Sequence, residues 1–309
     1  MNEDLRSSPF GGRKGGRPWL FRLFELLSLP FTIHFVLSSP RIHPAYGLTA
    51  WRRFKLGVRM YRNTRRIWTG VSYRAHLAMA VKLFEIPPAE QGVVVECGCF
   101  RGGTTANLAL MCEAVGRELF VYDSFEGLPP AAEGDQYGNP AGTGFLSAGL
   151  EQVKAHVDAH GAPGRTTYVK GWFADTAPHH TPPIVLMFLD VDYQASLTDC
   201  VLNLWPKLVD EGYCFTDEFV HNDYCALFWS ERFWATNFDR TPPGLMGSGT
   251  GVSVGGFYLG GRRGLGKDND FSHPDSVAYT RKNWSGYWGY YPDKEPTTAL
   301  ADRQENDHG

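Results

Sequence analysis

No CxxC pair occurs among the six cysteines, at 97, 99, 112, 200, 214 and 225, and no histidine spacing suits zinc. A zinc module is therefore excluded, and a reduced chain in the cytoplasm is expected. Internal repeats are absent, which removes solenoids and propellers. Long clean apolar runs are absent too. Residues 19–37 (WLFRLFELLSLPFTIHFVL) follow Arg13, Lys14 and Arg17, but Arg22, Glu25, Pro30 and His34 interrupt them and no small-residue cleavage site is evident, so a membrane span is not expected. Acidic residues are scarce before position 87. There 15 Lys and Arg stand against 4 Asp and Glu, leaving 15 against 29 for the remainder, although the whole chain carries only -3. Halves of opposite sign imply either docking of the basic part on the acidic body or contact with an anionic surface, peripheral at the inner membrane face.

What is present can build a core: 43% hydrophobic and 14% aromatic residues exceed what a disordered or fibrous chain carries. Residues 1–18, rich in Gly, Ser and Arg, read as an arm, and residues 292–309 as a polar tail. Residues 51–68 carry Arg52, Arg53, Lys55, Arg59, Arg62, Arg65 and Arg66 with Phe54, Val58, Tyr61 and Ile67 between them. That pattern is a basic, partly amphipathic helix suited to anionic lipid, to the body or to a second subunit. Tyr73, Leu77, Val81 and Phe84 then recur at helical spacing until Pro87 and Pro88 stop the helix. Three segments are expected: a basic region 1–86 acting as lid, dimer contact or membrane contact, a core 87–262, and an aromatic C-terminal segment with its tail, 263–309.

From Val93 onward short, uniformly apolar runs alternate with helical stretches: VVV at 93–95, LFVY at 119–122, TTYV at 166–169, IVLMFL at 184–189 and YCFT at 213–216. Strands apolar on both faces belong to a mostly parallel sheet covered by helices on each side. Leu197, Val201, Leu204, Trp205 and Leu208 mark a crossover helix, and GSGTGVSVGGFYLG reads as a turn and an antiparallel closing hairpin.

In such a sheet, ligands bind at the carboxyl ends of strands. The first run leads into Glu96-Cys97-Gly98-Cys99-Phe100-Arg101-Gly102-Gly103-Thr104, a strand, a glycine turn and a helix start that favours a carboxylate. The second ends at Asp123, within DSFEGLP, where an acid accepts hydrogen bonds from ribose hydroxyls. A nicotinamide dinucleotide must be weighed, but GCFRGG is not GxGxxG and Glu96 would repel a diphosphate. A sulfonium and amine tolerate that carboxylate, so S-adenosylmethionine fits better. Asp190 and Asp192 end the fourth run, and Asp217 and Glu218 the fifth. If those strands are neighbours, the carboxylates converge as hard oxygen donors for Mg²⁺. Helix capping or ribose binding would be the structural alternative. Cys97 and Cys99 are read as packing residues, and His179 and His180 as loop residues.

The order ECGCFRGGTT, VYDSFEGLPP, FLSAGLEQVKAHV, KGWFADTAP and LDVDYQASLTDCVLNLWPKLVDEGYCFTDEF resembles the macrocin and mycinamicin type of sugar O-methyltransferase through residues 90–220. The resemblance implies a Rossmann-like class I methyltransferase core with a seven-stranded sheet, S-adenosylmethionine as donor, Mg²⁺, and a sugar hydroxyl of a glycoside, natural product or glycan precursor as acceptor. Carried over by position, Glu96 and Gly98 face the methionine part, with Arg101, Gly102 and Thr104 in the same turn. Asp123 and Ser124 hold the ribose, and Trp172, Phe173 and Asp175 lie by the adenine. Asp190 touches donor and metal, and Asp217 and Glu218 complete the metal ligands. The family's usual Asp-Asp-Tyr is replaced by Asp217-Glu218-Phe219, which weakens the case for Glu218.

A sugar hydroxyl needs activation, and the base is expected to be Asp192 or His221. The loop 129–146 is expected to be a lid, and Trp284, Tyr287, Trp288, Tyr290 and Tyr291 to stack on sugar or cover a sheet edge. A small-molecule or oligosaccharide acceptor, no nucleic acid and a homodimer are expected. Competing readings are a catechol-type enzyme with a phenolic acceptor, and a non-catalytic membrane-surface protein on the same fold.

Overall fold

Each of the five apolar runs forms a strand: β1 (Val93–Cys97), β2 (Leu119–Asp123), β3 (Thr166–Lys170), β4 (Ile184–Leu189) and β5 (Leu208–Thr216). The computed structural model describes residues 29–37, 41–131, 143–217, 222–247, 252–254, 257–259 and 277–283. The strands lie in the order β3-β2-β1-β4-β5, each parallel to its neighbour. β4 shows why the runs are apolar throughout, since all six of its residues are buried. Leu186 and Phe188 point into one hydrophobic cluster, Met187 and Leu189 into the other, so both faces of the strand are core.

Three further short strands, β6 (Met246–Gly247), β7 (Val252–Val254) and β8 (Phe257–Leu259), precede β9 (Ala278–Arg281). β9 runs antiparallel to β5, and β6 antiparallel to β9, so the sheet counts seven strands among the described residues. The antiparallel hairpin expected in the glycine-rich stretch is present, β7 against β8, but it stands apart from the seven-stranded sheet. The strand antiparallel to β5 comes instead from residues 278–281, with Met246 and Gly247 paired beyond it. β5 also begins earlier than its apolar run. Val209, Asp210 and Glu211 are carried in the strand past a register shift, with Glu211 at φ +61° donating to the Lys282 carbonyl at 2.6 Å.

Nine α-helices are described: α1 (Leu29–Leu37), α2 (Ala50–Arg66), α3 (Tyr73–Glu85), α4 (Gly103–Val115), α5 (Leu150–His160), α6 (Phe173–Thr176), α7 (Gln194–Leu204), α8 (Asn222–Cys225) and α9 (Glu231–Phe238). α1 to α5 build the cluster over one face of the sheet, with Phe35, Met60, Phe84, Leu108 and Val157 against Val94, Val121 and Phe188. α7 to α9 build the other, with Leu197, Tyr224 and Trp234 against Val95, Cys97 and Leu189.

The basic segment before the core is part of this packing. Thr49 caps α2 by accepting the Arg52 N–H at 3.3 Å, and Arg65 and Arg66 complement the dipole at its far end. Leu56, Gly57, Met60 and Asn63 form its buried stripe, which packs on α4. Trp51 and Phe54 stack at 5.4 Å between ring centres and stay exposed. No described helix is long and apolar enough to cross a membrane. The arm 1–18, the polar tail and the aromatic segment 284–291 lie outside the described residues.

Phe188 on the central strand is fully buried between β1 and β5. Phe188→Ala should destabilise the fold by about 3–5 kcal/mol in denaturant titration, because the cavity lies too deep to collapse. A loss below about 1 kcal/mol would place the mechanical centre elsewhere.

Candidate active site

β1 leaves the sheet at Gly98, where φ is +83° and a Cβ would stand 1.9 Å from the Asp190 carbonyl oxygen. Only glycine fits there, on conformation and on space alike. The Gly98 N–H donates to the Tyr122 carbonyl at 2.9 Å and the Asp190 N–H to the Cys97 carbonyl at 2.9 Å, so the ends of β2, β1 and β4 are laced together across the turn. Gly102, at φ +80°, then starts α4, whose first N–H groups lack helical partners and favour an anion.

Asp123 at the end of β2 accepts the Cys99 N–H at 2.7 Å on one oxygen and the Phe125 N–H at 2.6 Å on the other. Each oxygen keeps capacity for a further hydrogen bond, and the side chain lines a cleft enclosing about 1080 Å³ with its open mouth included. Ser124, in the same wall, donates to the Gly127 carbonyl at 2.9 Å and accepts the Glu126 N–H at 3.1 Å. Trp172 and Phe173 border the cleft beyond β3, and Leu128, Pro129 and Leu146 add apolar surface. The ends of the expected lid are joined by Leu128 N–H to Phe145 carbonyl at 2.8 Å, and residues 132–142 lie outside the described residues.

β4 and β5 are neighbours in register, Leu189 opposite Thr216, so Asp190 and Asp217 follow at matching positions. The Asp217 N–H donates to the Leu189 carbonyl at 3.0 Å, and both carboxylates line the cleft with Asp192, which sits at φ +58°, a conformation Asp tolerates better than most residues. The Tyr224 hydroxyl packs beneath them, 3.5 Å from the Val191 N–H. Oxygen donors alone are chemistry for a hard cation. Among the described residues, however, no group of three or more His, Cys, Asp or Glu is gathered closely enough to hold a metal. Glu218 and His221 lie outside the described residues.

Glu96 sits on the α4 face of β1, wholly buried and behind the cleft wall rather than in it. Neither carboxyl oxygen has a partner in ordinary hydrogen-bond geometry among the described residues, although the Thr105 hydroxyl stands near enough to offset a little of the burial. Desolvation, reinforced by the Asp123 charge, raises its pKa from 4.5 to about 8. Three other expected positions lie outside the cleft wall. Arg101 lays its guanidinium 5.0 Å over the Phe100 ring, Gly102 packs under Val153, and Asp175 is exposed in α6. His180, expected as a plain loop group, is buried with Nδ1 2.7 Å from the Tyr122 hydroxyl.

Sequence reasoning missed Trp68, Thr69 and Gly70, which line the cleft from the link between α2 and α3, and Ser196 of α7. The available signal was the Trp-Thr-Gly break between two helical patterns, followed by the Ser72 cap.

A glycine turn, an acid at the end of β2 and a cleft at the carboxyl edge of a parallel sheet define an α/β nucleoside-binding class. The family model for macrocin-O-methyltransferase (TylF) matches residues 77–239, and the chain belongs to that family. It is 33% identical over 139 residues to the 8-demethyl-8-(2,3-dimethoxy-alpha-L-rhamnosyl)-tetracenomycin-C 4'-O-methyltransferase of Streptomyces olivaceus, covering 42% of this chain and 53% of that protein. The chain thus spans about half the length of that relative. It is 27% identical over 180 residues to the demethyldecarbamoylnovobiocin O-methyltransferase of Streptomyces niveus, covering 52% of this chain and 67% of that one. The structure of the O-methyltransferase NovP shares the fold with a TM-score of 0.53 at 20% identity, over 84% of this chain and 100% of NovP.

Gly98→Ala should destabilise the protein by at least about 3 kcal/mol, since backbone must move on both sides of the turn. Wild-type stability in denaturant titration would mean that β1 and β4 part without cost. Glu96 has a second consequence. Its pKa is raised on folding, so between pH 4.5 and about 8 the folded state holds a proton that the unfolded state has lost, and stability falls as pH rises through that window. Glu96→Gln should remove this fall, matching wild type below pH 4.5 and exceeding it near pH 8. Parallel stability-against-pH curves for the two proteins would contradict the assignment.

Proposed function

We propose that the chain is an S-adenosylmethionine-dependent O-methyltransferase acting on a sugar hydroxyl of a glycoside natural product or glycan precursor. The observation that carries this reading is the Asp123 carboxylate in one cleft wall with the Gly98 turn and the α4 N-terminus, in a chain of the macrocin family. The relative named for a rhamnosyl tetracenomycin supports the sugar acceptor. Bound in the cleft, S-adenosylmethionine supplies an electrophilic methyl group on a sulfonium.

Asp123 takes the ribose hydroxyls on the capacity left beyond the Cys99 and Phe125 N–H groups, with Ser124 beside it. Trp172 and Phe173 flank the adenine, a sequence-tolerant apolar contact. The α4 N-terminus with Thr104 receives the methionine carboxylate. Gly98 lets the backbone approach the methionine part, and a cation there would draw the buried Glu96 toward its charged form. Asp192 or His221 accepts the proton as the acceptor oxygen takes the methyl. Asp190, Asp217 and Glu218 are the residues that would hold Mg²⁺, which when bound would lower the pKa of nearby sugar hydroxyls.

Asp123→Ala should weaken binding of S-adenosylhomocysteine roughly tenfold or more in isothermal titration, since hydrogen bonds to a charged group are lost. Unchanged affinity would remove Asp123 from the ribose. Methyl transfer from labelled donor to a panel of glycosides should stop in excess chelator and return with Mg²⁺. Full activity in chelator would remove the metal from the reaction.

A further inference from the structure

Thr69 and Thr104, in the cleft wall, end a buried polar chain whose inner members the chemistry above does not use. Its inner members are Asn63 on α2, His76 on α3 and Asn107 on α4, and none of these or Thr104 is more than 5% exposed. Their roles follow one from another. Asn63 Nδ2 faces the His160 carbonyl at 3.2 Å, and Asn107 Nδ2 faces the Met60 carbonyl at 3.3 Å. A carbonyl only accepts, so both amides are fixed in orientation. Asn63 then donates to Asn107 Oδ1 at 3.0 Å, and Asn107 Nδ2 donates to His76 Nδ1 at 3.0 Å.

A neutral imidazole that accepts at Nδ1 carries its proton on Nε2, and His76 Nε2 lies 3.2 Å from the Thr104 hydroxyl oxygen. Complete burial keeps the ring neutral, pushing its pKa down to about 3. Thr69 Oγ1 accepts the Val71 N–H at 3.2 Å and lies 2.9 Å from Thr104 Oγ1. One hydroxyl hydrogen lies between the two threonines. The other has no acceptor among the described residues and is left to the cleft.

We propose that His76, held in its Nε2–H form by Asn107 and Asn63, is a positioning residue that makes the Thr69–Thr104 pair present a hydroxyl hydrogen to the carboxylate of the bound donor. The proposal rests on the donor reading above and extends it to α2 and α3, helices with no residue in the cleft wall itself. The distinguishing feature is direction. A merely space-filling His76 would affect every ligand of the cleft alike, whereas an oriented hydroxyl serves only a ligand with an acceptor at that end.

The test is isothermal titration of wild type, His76→Leu and His76→Gln with two probes, S-adenosylhomocysteine and 5'-methylthioadenosine, which keeps the adenosyl thioether and lacks the amino-acid end. His76→Leu should lose roughly tenfold or more for S-adenosylhomocysteine and nothing for methylthioadenosine, and His76→Gln, whose amide nitrogen reaches the Nε2 position, should regain most of it. Equal losses for both probes, or no loss for S-adenosylhomocysteine, overturn the relay. Wild type that binds neither probe sinks the donor reading first, a failure visible without any variant. If His76→Leu does not fold, the ring is read directly in wild type by nitrogen-15 imidazole spectra. A neutral Nε2–H form unchanged over about pH 5 to 8 is expected, and an Nδ1–H form or an imidazolium overturns the proposal.

Discussion

Backbone passes backbone at Gly98 with no room for a side chain, and the cleft exists because of it. The contact with the Asp190 carbonyl draws the end of β1 against the end of β4, and two ladder-like hydrogen bonds hold β2, β1 and β4 in that relation. From it follow the position of α4, the reach of Cys99 to the Asp123 carboxylate, and the presence of Asp190 on the wall that the glycine turn begins. An energetic asymmetry sits beside this junction. Asp123 is satisfied twice by backbone N–H groups, whereas Glu96, one layer deeper, has no ordinary partner among the described residues and is held against the cost of burial by the packing around it. Polar groups left short at a site are what a bound ligand can repay.

Much of the core was legible because burial on both faces forces a strand to be apolar at every position, as β4 is. Asp123, Asp190 and Asp217 were legible for a different reason: they are the first polar residues after such runs, and a parallel sheet gathers strand ends at one edge. β9 was not legible. Its four residues, Ala-Tyr-Thr-Arg, alternate in burial and gain their place by pairing with β5 on one side and β6 on the other. The early part of β5 was hidden likewise, since Leu208 continues the helical spacing of Leu197, Val201 and Leu204, whereas the helix ends at Leu204 and Leu208 opens the strand.

The site divides along the same line. Residues placed by a strand end could be read, and residues placed by packing could not. Trp68 to Gly70 reach the cleft because α2 docks on α4, a tertiary fact with no periodic signature. Arg101 and Asp175 show the converse, being close in sequence to cleft residues but turned away by the local backbone. The buried amides and imidazole beneath Thr104 were invisible for a simpler reason. A polar residue on the inner stripe of a helix is a blemish in the pattern until its partners from other helices are known. Together these make the basic N-terminal helices part of the packing behind the Thr104 end of the cleft and not an appendage to the core.

The central claim is that the cleft between Gly98, Asp123 and α4 holds an adenosyl donor. A crystal structure of the protein with S-adenosylhomocysteine tests it most directly. The ribose is expected on Asp123, the adenine by Phe173 and the homocysteine carboxylate at the start of α4 beside Thr104. An adenosyl group bound elsewhere, or a cleft filled in reverse with the adenine against Thr104, would contradict it.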